Sequence, residues 1–257
     1  MSPEEQLSLA RSPIVEAVVD IDWDLPADID FVDLEERARE RVSDHYPGFR
    51  RRLRQPPPEL PSGDSPRKFN LRDATYSFQF LSEEPQLLQI RRDGFSFNWF
   101  KPYKDLDEYL PEIQRTWRIF VDLVSPVAIR RVGLRYINRI LLPAGEGIID
   151  LSEYVSLGPK FPEEVSLELT SVLNQYTAVE PATGHEVNVR MVIDEQEQSA
   201  WRERQPLIVI LDIAGSHRGS ADPRVWENIE ETILTLDRMT NAVFRSSLTE
   251  RCLNLFR

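Results

Sequence analysis

Ser12-Pro13-Ile14-Val15-Glu16-Ala17-Val18 opens a β-rich run that ends at Leu25-Pro26 and leads into Val32-Asp33-Leu34-Glu35-Glu36. Ser125-Pro126-Val127 opens a second such run, which ends at Leu142-Pro143 and leads into Ile149-Asp150-Leu151-Ser152-Glu153. The same landmarks recur in the same order: Ser-Pro, a strand, Leu-Pro, then Asp-Leu at the head of a helix. Recurrence of this kind points to an internal repeat.

The segments downstream of each copy extend the correspondence. In the first half an amphipathic segment from Phe31 to about Leu53 reads as a helix, and strands are expected at Thr75 to Leu81, Gln86 to Arg92 and Phe95 to Phe100. Tyr76, Phe78 and Phe80 alternate with Thr75, Ser77 and Gln79, the period of a half-buried strand. Asp93-Gly94 is a hairpin signal. A helix is expected from Leu106 to Val124, with Leu110, Ile113, Trp117, Phe120 and Val124 on one stripe.

The second half predicts a short helix near Leu151, then strands over Val165 to Ala178, Val187 to Ile193 and Leu207 to Ala214. Pro181-Ala182-Thr183-Gly184 supplies a turn. A closing helix starts at Asp222-Pro223, an N-cap residue followed by proline at the first helical position. Each half is thus β-α-β-β-β-α. The expected fold is α+β: a tandem duplication, residues 1–124 and 125–257, forming one compact domain. Its strands would make a single curved, mainly antiparallel sheet with helices on one side. The saddle of TATA-box-binding-like folds is the topological analogue, and the analogy carries no function. Residues 55–67, with Pro56, Pro57, Pro58, Pro61 and Pro66, read as an extended loop.

Composition narrows the function classes. No apolar run approaches the roughly 20 residues of a membrane span, and the acidic start Met1-Ser2-Pro3-Glu4-Glu5-Gln6 lacks the basic and apolar parts of a secretory signal. The single cysteine, Cys252, allows no internal disulfide framework. A cytoplasmic location is expected. With 31 basic against 43 acidic side chains the net charge is −12, a field that opposes binding to nucleic-acid phosphates.

Familiar catalytic signatures are missing. His45, His185 and His217 lie at no metal-ligand spacing from one another, so no metal site is expected. No Gly-x-Ser-x-Gly elbow, phosphate-binding Gly-Lys-Ser/Thr loop or dinucleotide glycine fingerprint occurs, and no cofactor is expected. Gly215-Ser216-His217-Arg218-Gly219-Ser220 reads as a polar connector able to place backbone N–H groups around an anion. Paired carboxylates such as Glu35-Glu36 and Glu230-Glu231 read as solvated helix faces.

The two leading strands carry the most distinctive polar pattern. Alternation puts Glu16, Asp20 and Asp22 on one face of the first strand, and Arg131, Arg135 and Arg139 on one face of its counterpart. If the two strands pair, these rows become cross-strand ion pairs. If they do not, the arginines line a groove for an anionic group. Gln79, Arg91, Asn98, Asn188 and Arg190 are expected on the same open face. Arg131, Arg135, Arg139, Glu16 and Arg190 are therefore the candidate ligand-binding residues. Asn138 falls on the apolar side and should be a hydrogen-bonded core amide.

Ser12-Pro13-Ile14-Val15-Glu16-Ala17-Val18 and Arg131-Val132-Gly133-Leu134-Arg135-Tyr136-Ile137-Asn138-Arg139-Ile140, with Leu236-Asp237 and the tail from Phe244 to Glu250, resemble a sporadically distributed family of uncharacterised prokaryotic proteins of similar length. The resemblance implies a prokaryotic cytoplasmic protein, with an accessory or defence-associated role, and supplies no activity. The expected function is a non-enzymatic binding protein that engages a protein partner or a small anionic ligand on its sheet face. The alternative is an enzyme with an unfamiliar carboxylate or arginine site.

Overall fold

A computed structural model describes residues 11–26, 29–53, 75–143, 150–158, 171–193 and 206–257. Alternating apolar residues form the strands β1 (Ile14–Asp24), β2 (Gly48–Leu53), β3 (Thr75–Leu81), β4 (Gln86–Arg91), β5 (Gly94–Phe100), β6 (Ala128–Leu142), β7 (Val172–Val179), β8 (Glu186–Ile193) and β9 (Leu207–Ala221). The helices are α1 (Phe31–Val42), α2 (Leu106–Val124), α3 (Trp226–Ser247) and α4 (Glu250–Leu253). All nine strands join one sheet in the order β2-β3-β4-β5-β1-β6-β9-β8-β7, and every neighbouring pair is antiparallel.

The leading strands β1 and β6 pair at the centre, with Val19 opposite Leu134 and Asp22 opposite Arg131. Outward from that pair, each side first adds the strand that precedes its long helix, β5 on one side and β9 on the other. Strict alternation then sorts the faces. Ala17, Val19 and Ile21 line up with Trp99, Phe97 and Phe95 on β5 and with Tyr136, Leu134 and Val132 on β6, all buried. The helices cover this face, with α1 against β3 and α2 and with α3 against β6 and β9.

The core is continuous across the central pair. One apolar cluster joins β1, β3–β5, α1, α2 and the start of β6 to Trp226, Ile229, Ile233 and Leu236 of α3. A second lies under the far end of β6, β7–β9, the C-terminal part of α3 and α4. Helix α3 runs over both. Asp105 caps α2 by accepting from the Asp107 backbone N–H, and the left-handed residue Ser125 closes its other end.

Several expectations are corrected. The helix from Phe31 stops at Val42, and the chain turns at Ser43-Asp44-His45 and passes through Tyr46-Pro47 into β2 at the sheet edge, opposite β3. The hairpin turn is Arg92-Asp93, because Gly94 already pairs with Arg91. Gly215 to Ser220 is strand rather than loop: β6 is long enough to pair with it, Leu134 facing Gly215 and Arg131 facing Arg218. The segment near Leu151 is a single 3-10 turn, Leu151–Glu153. Val225, not Asp222, immediately precedes α3, although Asp222 accepts from the Arg224 N–H at 2.9 Å. The proline-rich stretch 55–67 and the part of the expected strand before residue 171 lie outside the described residues.

Phe97 sits at the middle of this core, between Val19 and Leu88 and without solvent exposure. Phe97→Ala is expected to destabilise the fold by about 3–5 kcal/mol, read as a lower urea midpoint at unchanged slope.

Candidate functional site

The uncovered face of the sheet carries the charged rows. Asp20 and Asp22 project from β1, and two guanidinium groups converge on them. Arg131 donates Nε to Asp22 at 2.6 Å and NH2 to Asp20. The second cation is Arg91 of β4, which reaches across β5 to Asp20 at 2.7 Å and Asp22 at 2.9 Å. Ser96 on β5 donates to Asp20 at 2.6 Å. Glycine makes both reaches possible: a Cβ on Gly133 would stand 2.5 Å from the Arg131 guanidinium, and one on Gly94 would collide with that of Arg91.

The remaining candidates divide differently. Arg135 forms a bidentate pair with Asp212 of β9, at 2.7 and 2.6 Å. Glu16 accepts from Asn98 Nδ2 at 2.8 Å. Arg139 and Arg190 are exposed and make no ion pair with another described residue. The register gathers Glu16, Ile137, Asp212 and Arg190 into one row across the sheet, with Arg135 and Arg139 flanking Ile137 on the same face. All five candidates therefore share one face, Arg131 and Arg135 already neutralised. Burial raises Asp20, but Arg91, Ser96 and Arg131 outweigh it and hold the carboxyl below its ordinary 3.8.

On the other face, a cavity of about 460 Å³ opens where the start of β1, the approach to α2 and the middle of α3 meet over β6. Ser12, Pro13 and Ile14 form one wall, Tyr103, Lys104 and Asp105 another. The β1 register slips between Ile14 and Glu16, a bulge at the rim of the cavity. Tyr136 and Asn138 form the floor, and Asp237 and Asn241 of α3 the roof. Asn138 is buried and donates Nδ2 to the Leu211 carbonyl at 3.0 Å, the satisfied amide its place in the pattern called for.

A short polar chain crosses the cavity. Tyr136 donates its hydroxyl to Asp237 Oδ1 at 2.6 Å, and Asn241 Nδ2 donates to the same oxygen at 3.0 Å. The Tyr103 and Tyr136 hydroxyls lie 3.4 Å apart, and their rings meet edge-on at 5.7 Å. Oδ2 of Asp237 accepts no bond from another described residue. Burial raises the Asp237 carboxyl above 3.8, and the Asp105 and Asp107 charges push the same way. Burial likewise lifts both tyrosine hydroxyls well above their usual range.

The segments Ser12-Pro13-Ile14, Tyr136-Ile137-Asn138 and Leu236-Asp237 stand apart in the chain, yet each contributes to this one cavity. His185 and His217 also come together, their rings edge-on at 4.9 Å, a proximity their spacing conceals. Among the described residues no group of three or more His, Cys, Asp or Glu side chains is arranged to hold a metal ion. No described helix is long and apolar enough to cross a membrane. Burial pushes the Cys252 thiol up to about 11, leaving it a poor nucleophile.

No protein-family model matches this chain, and no curated protein is significantly similar to it.

The two carboxylates should titrate with opposite consequences. Asp20, held low, contributes stability above pH 3.8 that is lost as pH falls through its folded value; Asp237, held high, loses stability as pH rises from 3.8 through its own. Arg91→Met is expected to cost about 2–3 kcal/mol at pH 7, a deficit that shrinks in acid. Asp237→Asn should gain on the wild type as pH rises from 3.8. Urea unfolding at a series of pH values reads both slopes.

Proposed function

We propose that this chain is a non-enzymatic binding protein whose ligand site is the cavity between α3 and the central strands. The observation that carries the reading is the Tyr136–Asp237 pair, a buried hydroxyl and a carboxylate placed in a formed cavity with one carboxylate oxygen unused by the described residues. Sites for small molecules commonly combine such a concave, partly apolar wall with a few convergent polar groups. Asn138 and Tyr136 are held rigidly by the central strand, which favours a preformed site.

The same proposal covers the origin of the fold. Two copies of a β-α-β-β-β-α unit, 1–124 with the edge strand β2 added and 125–257 with its first helix reduced to a 3-10 turn, would meet through β1 and β6, and the strand order outward from that pair supports it. In this reading the saddle analogy describes the architecture, and the cavity lies beside the junction. The resemblance to sporadically distributed prokaryotic proteins rests on segments that line the cavity, which supports a shared ligand site and an accessory role in a prokaryotic cytoplasm.

A second reading rests on Arg139 and Arg190. Exposed on the open face and without ion-pair partners among the described residues, they suit an acidic protein partner. Arg139→Glu combined with Arg190→Glu would then abolish binding to such a partner and leave the cavity unaffected.

Asn241 is exposed at the cavity mouth, so Asn241→Trp should fill the opening without disturbing the core. Native mass spectrometry of the freshly purified wild type is expected to show a retained small molecule that the Asn241→Trp protein lacks. Identical spectra, with neither protein stabilised by any member of a metabolite library, would reject the cavity reading.

A further inference from the structure

The charge of the cavity narrows what it can hold. Its floor and roof present Asp237, whose Oδ1 is saturated by Tyr136 and Asn241 while Oδ2 takes no bond from another described residue. The charges acting most strongly on this carboxylate are themselves acidic, Asp105 at the cap of α2 and then Asp107. Two cations, Lys104 and Arg245, stand at the rim, and neither is among the strongest influences on Asp237. Lys104, 65% exposed at its side chain, pairs with Glu108 at 3.0 Å, and Arg245 has an interaction of its own. The wall beside Asp237 is aromatic: Tyr136 meets Tyr103 edge-on, and Tyr103 stacks in turn on Trp99 and Tyr109.

A carboxylate oxygen to which no other described residue donates, acidic neighbours and an aromatic wall are complementary to one kind of head group. The ring quadrupole attracts a cation, and the carboxylate gives it a charge-assisted hydrogen bond. An anionic ligand would meet repulsion from Asp105 and Asp237 together. A neutral alcohol could donate to Oδ2 but would leave the acidic field uncompensated.

Resting on the cavity reading above, we infer that the ligand is a small organic cation, an ammonium carried on an apolar or aromatic body, with its N–H donated to Asp237 Oδ2. The body lies against Tyr103 and Tyr136, and the amide of Asn138 at the floor orients a polar substituent. A cation bound there relieves the half-buried carboxylate of its unfavourable surroundings, so binding and ionisation of Asp237 reinforce each other.

Three probes of nearly equal shape separate the possibilities: benzylammonium, benzyl alcohol and benzoate, titrated into the full chain carrying isotope-labelled tyrosine. The expected result is saturable movement of the Tyr103 and Tyr136 ring signals with benzylammonium, weaker movement with the alcohol and none with benzoate. Asp237→Asn should weaken benzylammonium by about tenfold or more. Asp105→Asn keeps a good N-cap and removes one charge, so it should weaken the cation about twofold to fivefold in a protein that remains folded. Benzoate or the alcohol binding as well as the cation, or benzylammonium binding unchanged by both variants, overturns the assignment of charge and leaves the cavity as a site. No movement of either tyrosine with any of the three probes counts against the cavity itself.

Discussion

Two guanidinium groups resting on two aspartates hold the middle of the sheet. Arg91 comes from β4 and Arg131 from β6, and both end on Asp20 and Asp22 of β1, so one cluster ties four adjacent strands together. Its members are only partly exposed, Arg91 at 10% and Asp20 at 24%. Removing one charge from such a group leaves its partners desolvated and uncompensated, so the cluster specifies register more than it adds net stability. A slip of one residue at the β1–β6 junction would turn Asp20 and Asp22 toward Phe95 and Phe97 on the apolar face, a far costlier arrangement.

The charged faces of the two strands were legible in the sequence because alternation is a local signal, whereas their pairing was one of two open alternatives. The acidic residues of β1 and the arginines of β6 could be sorted onto one face without knowing the fold, and Asn138 onto the other. Which acid each arginine would meet was not legible. Arg135 turns to Asp212 of β9, while the β1 acids on either side of its partner Val18 are engaged by others, Glu16 by Asn98 and Asp20 by Arg91 and Arg131. Arg91 reads as one more polar residue of an open face; only the two-residue turn at Arg92-Asp93 and the side-chain-free Gly94 bring it to β1. The long helix expected after Phe31 fails for a similar reason. Periodicity carries on past Val42, but Pro47-Gly48 breaks it, and the edge of β3 offers β2 a ladder of hydrogen bonds.

The cavity was still harder to foresee. Asp237 sits among Thr235, Arg238 and Asn241 on what looks like a solvated helix face. Its partial burial depends on α3 crossing β6 at the level of Tyr136, a tertiary fact with no sequence-local trace. Tyr136 itself reads as core. Charge on the two faces of the sheet is thus handled in opposite ways: matched by cations on the open face around Asp20, met only by neutral donors among the described residues at Asp237 on the helical face. Uncompensated polarity in a cavity is costly unless something else completes it, and that contrast sets the two regions apart energetically.

Helix α3 packs its N-terminal turns on the first apolar cluster and its C-terminal turns on the second, with Asp237 between them. A single rigid rod laid over two cores makes the halves one cooperative unit, since neither can open without stripping part of the helix from the other. A molecule held beside Asp237, as proposed above, would act at the midpoint of that rod, so the occupancy of one small cavity would be felt by both cores at once.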